Sequence, residues 1–118
     1  MLDISPTEHP LLYRAIKSRS WFAQTSAAFL LRQNELGISV IFSANCTKTV
    51  CDAGQNKCFG ELVLETLAVI TYGWGVNKDD PNHGEILGLP PYESELRIRE
   101  DAASDLAELV TDIKYRPS

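Results

Sequence analysis

The stretch Ile38-Ser39-Val40-Ile41-Phe42-Ser43 decides how the chain is read. It is dense in β-branched and aromatic residues, and the turn signal Asn34-Glu35-Leu36-Gly37 precedes it, so it reads as a strand. Upstream, Leu11-Leu12-Tyr13-Arg14-Ala15-Ile16 reads as a second strand closed by the polar turn Lys17-Ser18-Arg19-Ser20. Trp21 to Arg32 carries Phe22, Ala23, Ser26, Ala27 and Leu30 at helical spacing, while Ala27 to Leu31 also fits a buried strand; of the two, a helix is the expectation. The first nine residues, broken by Pro6 and Pro10 at its edge, are expected to form a flexible arm.

Downstream, residues 44–60 mix small, polar and cysteine residues with Gly54 and Gly60 and predict a long loop. Glu61 to Thr71 places Leu64, Leu67, Ala68 and Thr71 on one stripe, with Gly73 and Gly75 as the stop; a helix is expected there. Gly75-Val76-Asn77 opens a short strand, residues 78–82 a loop, and Glu85 to Leu89 a brief apolar run that Pro90-Pro91 ends. From Asp101, the set Ala103, Leu106, Ala107, Val110 and Ile113 predicts a C-terminal amphipathic helix of about three turns. No regular alternation of strand, helix and strand is visible. The expectation is therefore a small single α+β domain over residues 1–118, with a mixed or antiparallel sheet and two to three helices.

The 118 residues amount to 13.1 kDa, enough for one domain. With 44% hydrophobic and 23% charged residues the chain is composed like a globular protein, which excludes disordered, collagen-like and coiled-coil classes. The run Thr66 to Asn77 is too short to span a bilayer, so no membrane role is expected. The polar start Met1 to Glu8 lacks a basic segment leading into an apolar one, which predicts a cytoplasmic protein. The net charge of −5 is uneven: residues 1–33 hold four basic and two acidic side chains, and residues 34–118 hold seven and fourteen. An acidic surface repels phosphate backbones, so no nucleic-acid partner is expected. The basic first third still allows one anionic ligand locally.

Three features carry chemistry. Cys46, Cys51 and Cys58 with His83 supply three thiolates and an imidazole, the donor set of a tetrahedral zinc site that would brace the long loop. The same thiols also suit a reversible disulfide or ordinary free cysteines. Asp79-Asp80-Pro81-Asn82-His83-Gly84-Glu85 gathers three carboxylates and an imidazole, fit for hard-cation binding, for acid–base work by His83 and Glu85, or simply for a polar turn. Arg14 inside an apolar strand suits bidentate grip on a phosphate, or an edge position facing water. No glycine-rich phosphate loop and no Gly-x-Ser-x-Gly elbow occur.

Leu12-Tyr13-Arg14, Ala28-Phe29 with Arg32 and Glu35, Ile38-Ser39-Val40, Phe59-Gly60, Gly75-Val76 with Asp80, and His83-x-x-Ile86-x-Gly88-Leu89-Pro90 follow one another in this order. The arrangement resembles a set of small, uncharacterised bacterial proteins with a Leu-Tyr-Arg start, a Leu-Ser-Val-like strand and a His-x-x-Ile-x-Gly segment. More distantly it is similar to compact ADP-ribosyltransferase-like domains. That likeness implies Arg14 on an NAD pyrophosphate, Ser39 or Ser43 at the nicotinamide ribose, and His83 or Glu85 completing a catalytic set of Arg14, Ser43, His83 and Glu85. The chain is short for such a domain and has no strand-borne Gln-x-Glu.

Three functions stand as expectations. The first is a non-enzymatic binding or regulatory module with a protein partner or a second copy of itself, such as one member of a bacterial toxin–immunity or defence pair. The second is a small NAD-processing enzyme, and the third a zinc-braced structural domain. The cofactor stays unassigned.

Overall fold

The computed structural model describes residues 2–43 and 59–115, so the expected 44–60 loop lies almost wholly outside the described residues. Seven strands alternate irregularly with short helices: β1 (Leu2–Asp3), β2 (Leu11–Ala15), α1 (Ser20–Ala23), a 3₁₀ segment (Thr25–Phe29), β3 (Gly37–Val40), β4 (Gly60–Glu65), α2 (Thr66–Tyr72), β5 (Gly75–Asp80), β6 (His83–Leu87), α3 (Leu96–Ala107) and β7 (Val110–Tyr115). The strands form two antiparallel sheets, ordered β1-β5-β6-β3 and β2-β4-β7. The α+β class is therefore present, with a helix over residues 96–107 near the end of the chain.

Among the described residues the two sheets meet at one bridge. Tyr13 and Ile41 exchange both backbone hydrogen bonds, at 2.9 and 3.0 Å, so β2 leans on the chain just past β3. One core fills the space between the sheets, with Leu12, Phe29, Ile38, Leu62, Ile86 and Leu106 at or near zero exposure. α3 covers the 3₁₀ segment, and the Arg99 guanidinium donates from Nη2 to the Leu31 carbonyl at 2.9 Å to hold it there.

Several expectations are corrected. The first nine residues are docked rather than loose. Leu2 and Asp3 pair with Lys78 and Asn77, Ile4 enters the core, and the Thr66 hydroxyl donates to the His9 carbonyl at 2.6 Å. The stretch 21–32, expected as a helix with a buried strand over Ala27 to Leu31 as the alternative, is one four-residue turn followed by 3₁₀. Residues 61–65 are strand, not helix: Glu61 to Leu64 are all buried, because β4 is central in its sheet and covered on both faces. The helix begins only at Thr66, and Gly73 ends it as expected, with a φ of 124° that a side chain disfavours.

Residues 78–82 are the end of β5 and a tight turn into β6, not an open loop. The expected helix past Ala107 gives way to β7, since Val110-Thr111-Asp112-Ile113-Lys114-Tyr115 pairs along β4. Val110 and Ile113 satisfy a helical spacing and a strand equally well. The open edge of β4 decides between them.

Candidate functional site

Arg14 sits in the interior, neither facing water on an edge nor aimed outward. Its side chain is 7% exposed, its Nε donates to the Ala28 carbonyl at 3.0 Å and its Nη1 to the Ser39 carbonyl at 3.1 Å. The guanidinium also lies 5.6 Å from the Trp21 ring centroid, within range of a cation–π contact. Burial lowers its pKa to about 10, against the opposing pull of Glu35 and with the help of Arg32. Burial likewise lowers the pKa of Lys17, with Arg14 and Arg32 adding to the effect. The 3₁₀ segment leaves the Ala28 carbonyl without a helical partner, and the arginine satisfies it.

The residues singled out in the 79–85 segment gather at the tip of the β5–β6 hairpin. Asn82 occupies the turn and its Oδ1 accepts two hydrogen bonds, from the Phe42 amide at 3.2 Å and from the Ser43 hydroxyl at 3.0 Å. Its own amide donates to Asp80 Oδ1 at 2.8 Å, an Asx-type turn of the kind this composition favours. The chain leaving β3 is thereby fastened to the hairpin tip, which sets Ser43 beside the residue preceding His83. His83 Nδ1 donates to Asp79 Oδ1 at 2.6 Å, and both side chains remain partly in water, at 35% and 41% exposure. A contact so exposed contributes little to stability.

Below the tip, the His9 ring stacks on Phe42 with centroids 4.4 Å apart, and the Lys78 ammonium donates to His9 Nε2 at 3.2 Å. Glu85 faces Ser39 and Asn77 across β6, and its amide donates to Asn77 Oδ1 at 3.0 Å. The expected catalytic residues thus fall into two groups along β3 and the chain leaving it. Ser43 joins His83 through Asn82 at one end, while the Ser39 carbonyl, four residues earlier, joins Arg14, with Glu85 opposite. Among the described residues no hydrogen bond, ion pair or ring contact links Arg14 to Ser43 or His83.

Of the expected metal set, Cys46, Cys51 and Cys58 lie outside the described residues, and His83 is the one member in view. Among the described residues no group of three His, Cys, Asp or Glu side chains is arranged to hold a metal ion.

Sequence reasoning missed the outer ridge of α2. Leu67 and Ile70 lie three positions apart, flanking the buried stripe of Thr66 and Val69, and they are 63% and 36% exposed. The spacing signalled a helix, but an amphipathic stripe on so short a helix reads as core when β4 is taken to be part of it. At the other end of α2, Tyr72 stacks on Trp74 at 5.7 Å and leans toward α3, where a hydrogen bond with Asp105 raises the phenol pKa. No helix among the described residues is long and apolar enough to cross a membrane. No protein-family model, no curated protein and no solved structure matches this chain.

Proposed function

We propose that the chain is a non-enzymatic binding module that docks a protein partner on the outer ridge of α2, as one member of a two-protein bacterial system of the toxin–immunity or defence kind. The exposure of Leu67 and Ile70 carries this reading. Two large aliphatic side chains on adjacent turns of one helix leave apolar surface in water. Their spacing is the ridge that a complementary groove or helix accepts. Burying both side chains in a partner yields roughly 2–4 kcal/mol of the association energy.

The enzymatic alternative asks Arg14 to grip an NAD pyrophosphate. Its Nε and Nη1 already donate to two carbonyls, and a ligand would have to displace them. The binding reading needs no rearrangement.

The test is co-expression with the product of the adjoining gene, followed by size-exclusion chromatography with mass detection. Wild-type chain is expected to co-elute with that product, and Leu67→Glu/Ile70→Glu is expected to elute alone with an unchanged melting temperature. A double variant that binds as tightly as the wild type overturns the proposal, as does a wild-type chain that never co-elutes.

A further inference from the structure

β7 is the outer strand of its sheet among the described residues, and the direction of its backbone groups follows from the strands beneath it. The Gly60 carbonyl accepts from Ile16 and the Thr66 amide donates to Pro10, both on the β2 side. Alternation then turns the backbone of Leu62 and Leu64 toward β2, and that of Glu61 and Val63 toward β7. Glu61 pairs with Lys114 and Val63 with Asp112, so Asp112 and Lys114 bond inward to β4 and Ile113 points its N–H and C=O away from the sheet. The Ile113 amide donates to the carboxylate of its own neighbour, Asp112, at 2.8 Å. A charged side chain folded over an open amide is a common guard on a strand edge.

We infer that this edge pairs with β7 of a second copy of the chain, antiparallel about Ile113, to make one continuous six-stranded sheet across a two-fold axis. The inference rests on the reading of the chain as a binding module but uses a different surface from the α2 ridge.

Charge complementarity selects both the occupant and the register. With Ile113 opposite Ile113 of the second copy, the two residues exchange both backbone hydrogen bonds. Asp112 then faces Lys114 of the second copy, and Lys114 faces its Asp112. These flanking positions are non-hydrogen-bonded pairs, where side chains approach most closely. The adjacent registers of the same phase set Asp112 against Asp112, or Lys114 against Lys114, and like charges directly opposite are unfavourable. One strand thus carries a self-complementary pattern that permits a single symmetric pairing. On pairing, the Asp112 carboxylate exchanges the Ile113 amide for the ammonium of the second copy, and that amide takes a carbonyl instead. No donor or acceptor is lost in the exchange.

The test is sedimentation equilibrium by analytical ultracentrifugation across a concentration series into the high micromolar range, at low salt. The set comprises wild type, Asp112→Lys, Lys114→Asp, the double swap Asp112→Lys/Lys114→Asp, and an equimolar mixture of the two single variants. Wild type is expected to reach dimer mass. Each single variant places like charges at both flanking positions and should weaken the dimer at least about tenfold. The double swap and the mixture both restore opposite charges and should restore association. A wild type that remains monomeric throughout overturns the inference, and so do single variants that dimerise like wild type. The Leu67→Glu/Ile70→Glu variant separates the two surfaces: loss of dimer in it, with the edge variants intact, places self-association on α2 and also overturns the inference. A monomeric wild type that still binds the adjoining gene product through α2 leaves the broader binding reading standing.

Discussion

Asn82→Ala is the sharpest probe of the hairpin tip. The substitution removes one carbonyl oxygen that accepts from the Phe42 amide and the Ser43 hydroxyl. The Phe42 amide is part-buried, so stranding it costs about 1–1.5 kcal/mol. The Ser43 hydroxyl is exposed and finds water, so it adds at most about 0.5 kcal/mol. The expected loss is about 1–2 kcal/mol, or roughly 4–8 °C in melting temperature for a domain of this size. Asn82→Asp keeps both acceptor positions and is expected to recover most of that loss.

Two assays bear on it. Thermal unfolding gives the total, and amide hydrogen exchange at Phe42 reports the bond itself, with protection expected to fall by roughly tenfold in Asn82→Ala. The Phe42 ring also holds His9, so the same variant is expected to loosen the His9–Phe42 stack, seen as a shift in the His9 ring resonances. An Asn82→Ala protein that melts within about 1 °C of wild type, with Phe42 protection unchanged, refutes the claim that this side chain joins β3 to the hairpin.

Two further outcomes are expected. Arg14→Ala strands the Ala28 and Ser39 carbonyls and empties core volume, partly offset by relief of a buried charge, for a net loss of about 2–4 kcal/mol in urea unfolding. Full stability in that variant would release Arg14 from its structural duty and return it to ligand binding. Tyr72 ionises at higher pH in the folded chain than in the unfolded one, through its hydrogen bond with Asp105, so its contribution is present below pH 10 and lost as pH rises through the folded pKa. Stability measured by denaturant titration should therefore fall above pH 10 in wild type and fall less in Tyr72→Phe.

What the sequence disclosed and what it hid divide along physical lines. β2, the turn at Asn34 and the stop at Gly73 were legible because each rests on local chemistry: an apolar run with a polar boundary, or a residue that accepts positive φ. β4 was hidden because Glu61 and Glu65 bracket an apolar core at one-turn spacing, which imitates a helix, and only burial on both faces makes it a strand. β7 was hidden because it continues the stripe of α3, and its true partner lies some fifty positions earlier.

The candidate site was half legible. The 79–85 segment announced a polar turn, and it is one. Its link to Ser43 depends on β3 and β6 becoming neighbours, which no local pattern encodes. Arg14 was visible as an oddity in an apolar run, but its partners are carbonyls, which every residue possesses.

The order of β2, β4 and β7 has a consequence for how the protein is made. Synthesis proceeds from the amino end, and the strand that seals one side of β4 is made some forty-five residues after β4 itself. Until Val110–Tyr115 emerges, a chain that already has β2 and β4 displays the bare outward backbone of Glu61 and Val63 beside an apolar centre. Pauses in translation between β4 and β7, more than pauses before β4, would leave nascent chains with a surface that recruits other strands. Chaperone demand should therefore be greatest over the interval between the appearance of β4 and that of β7.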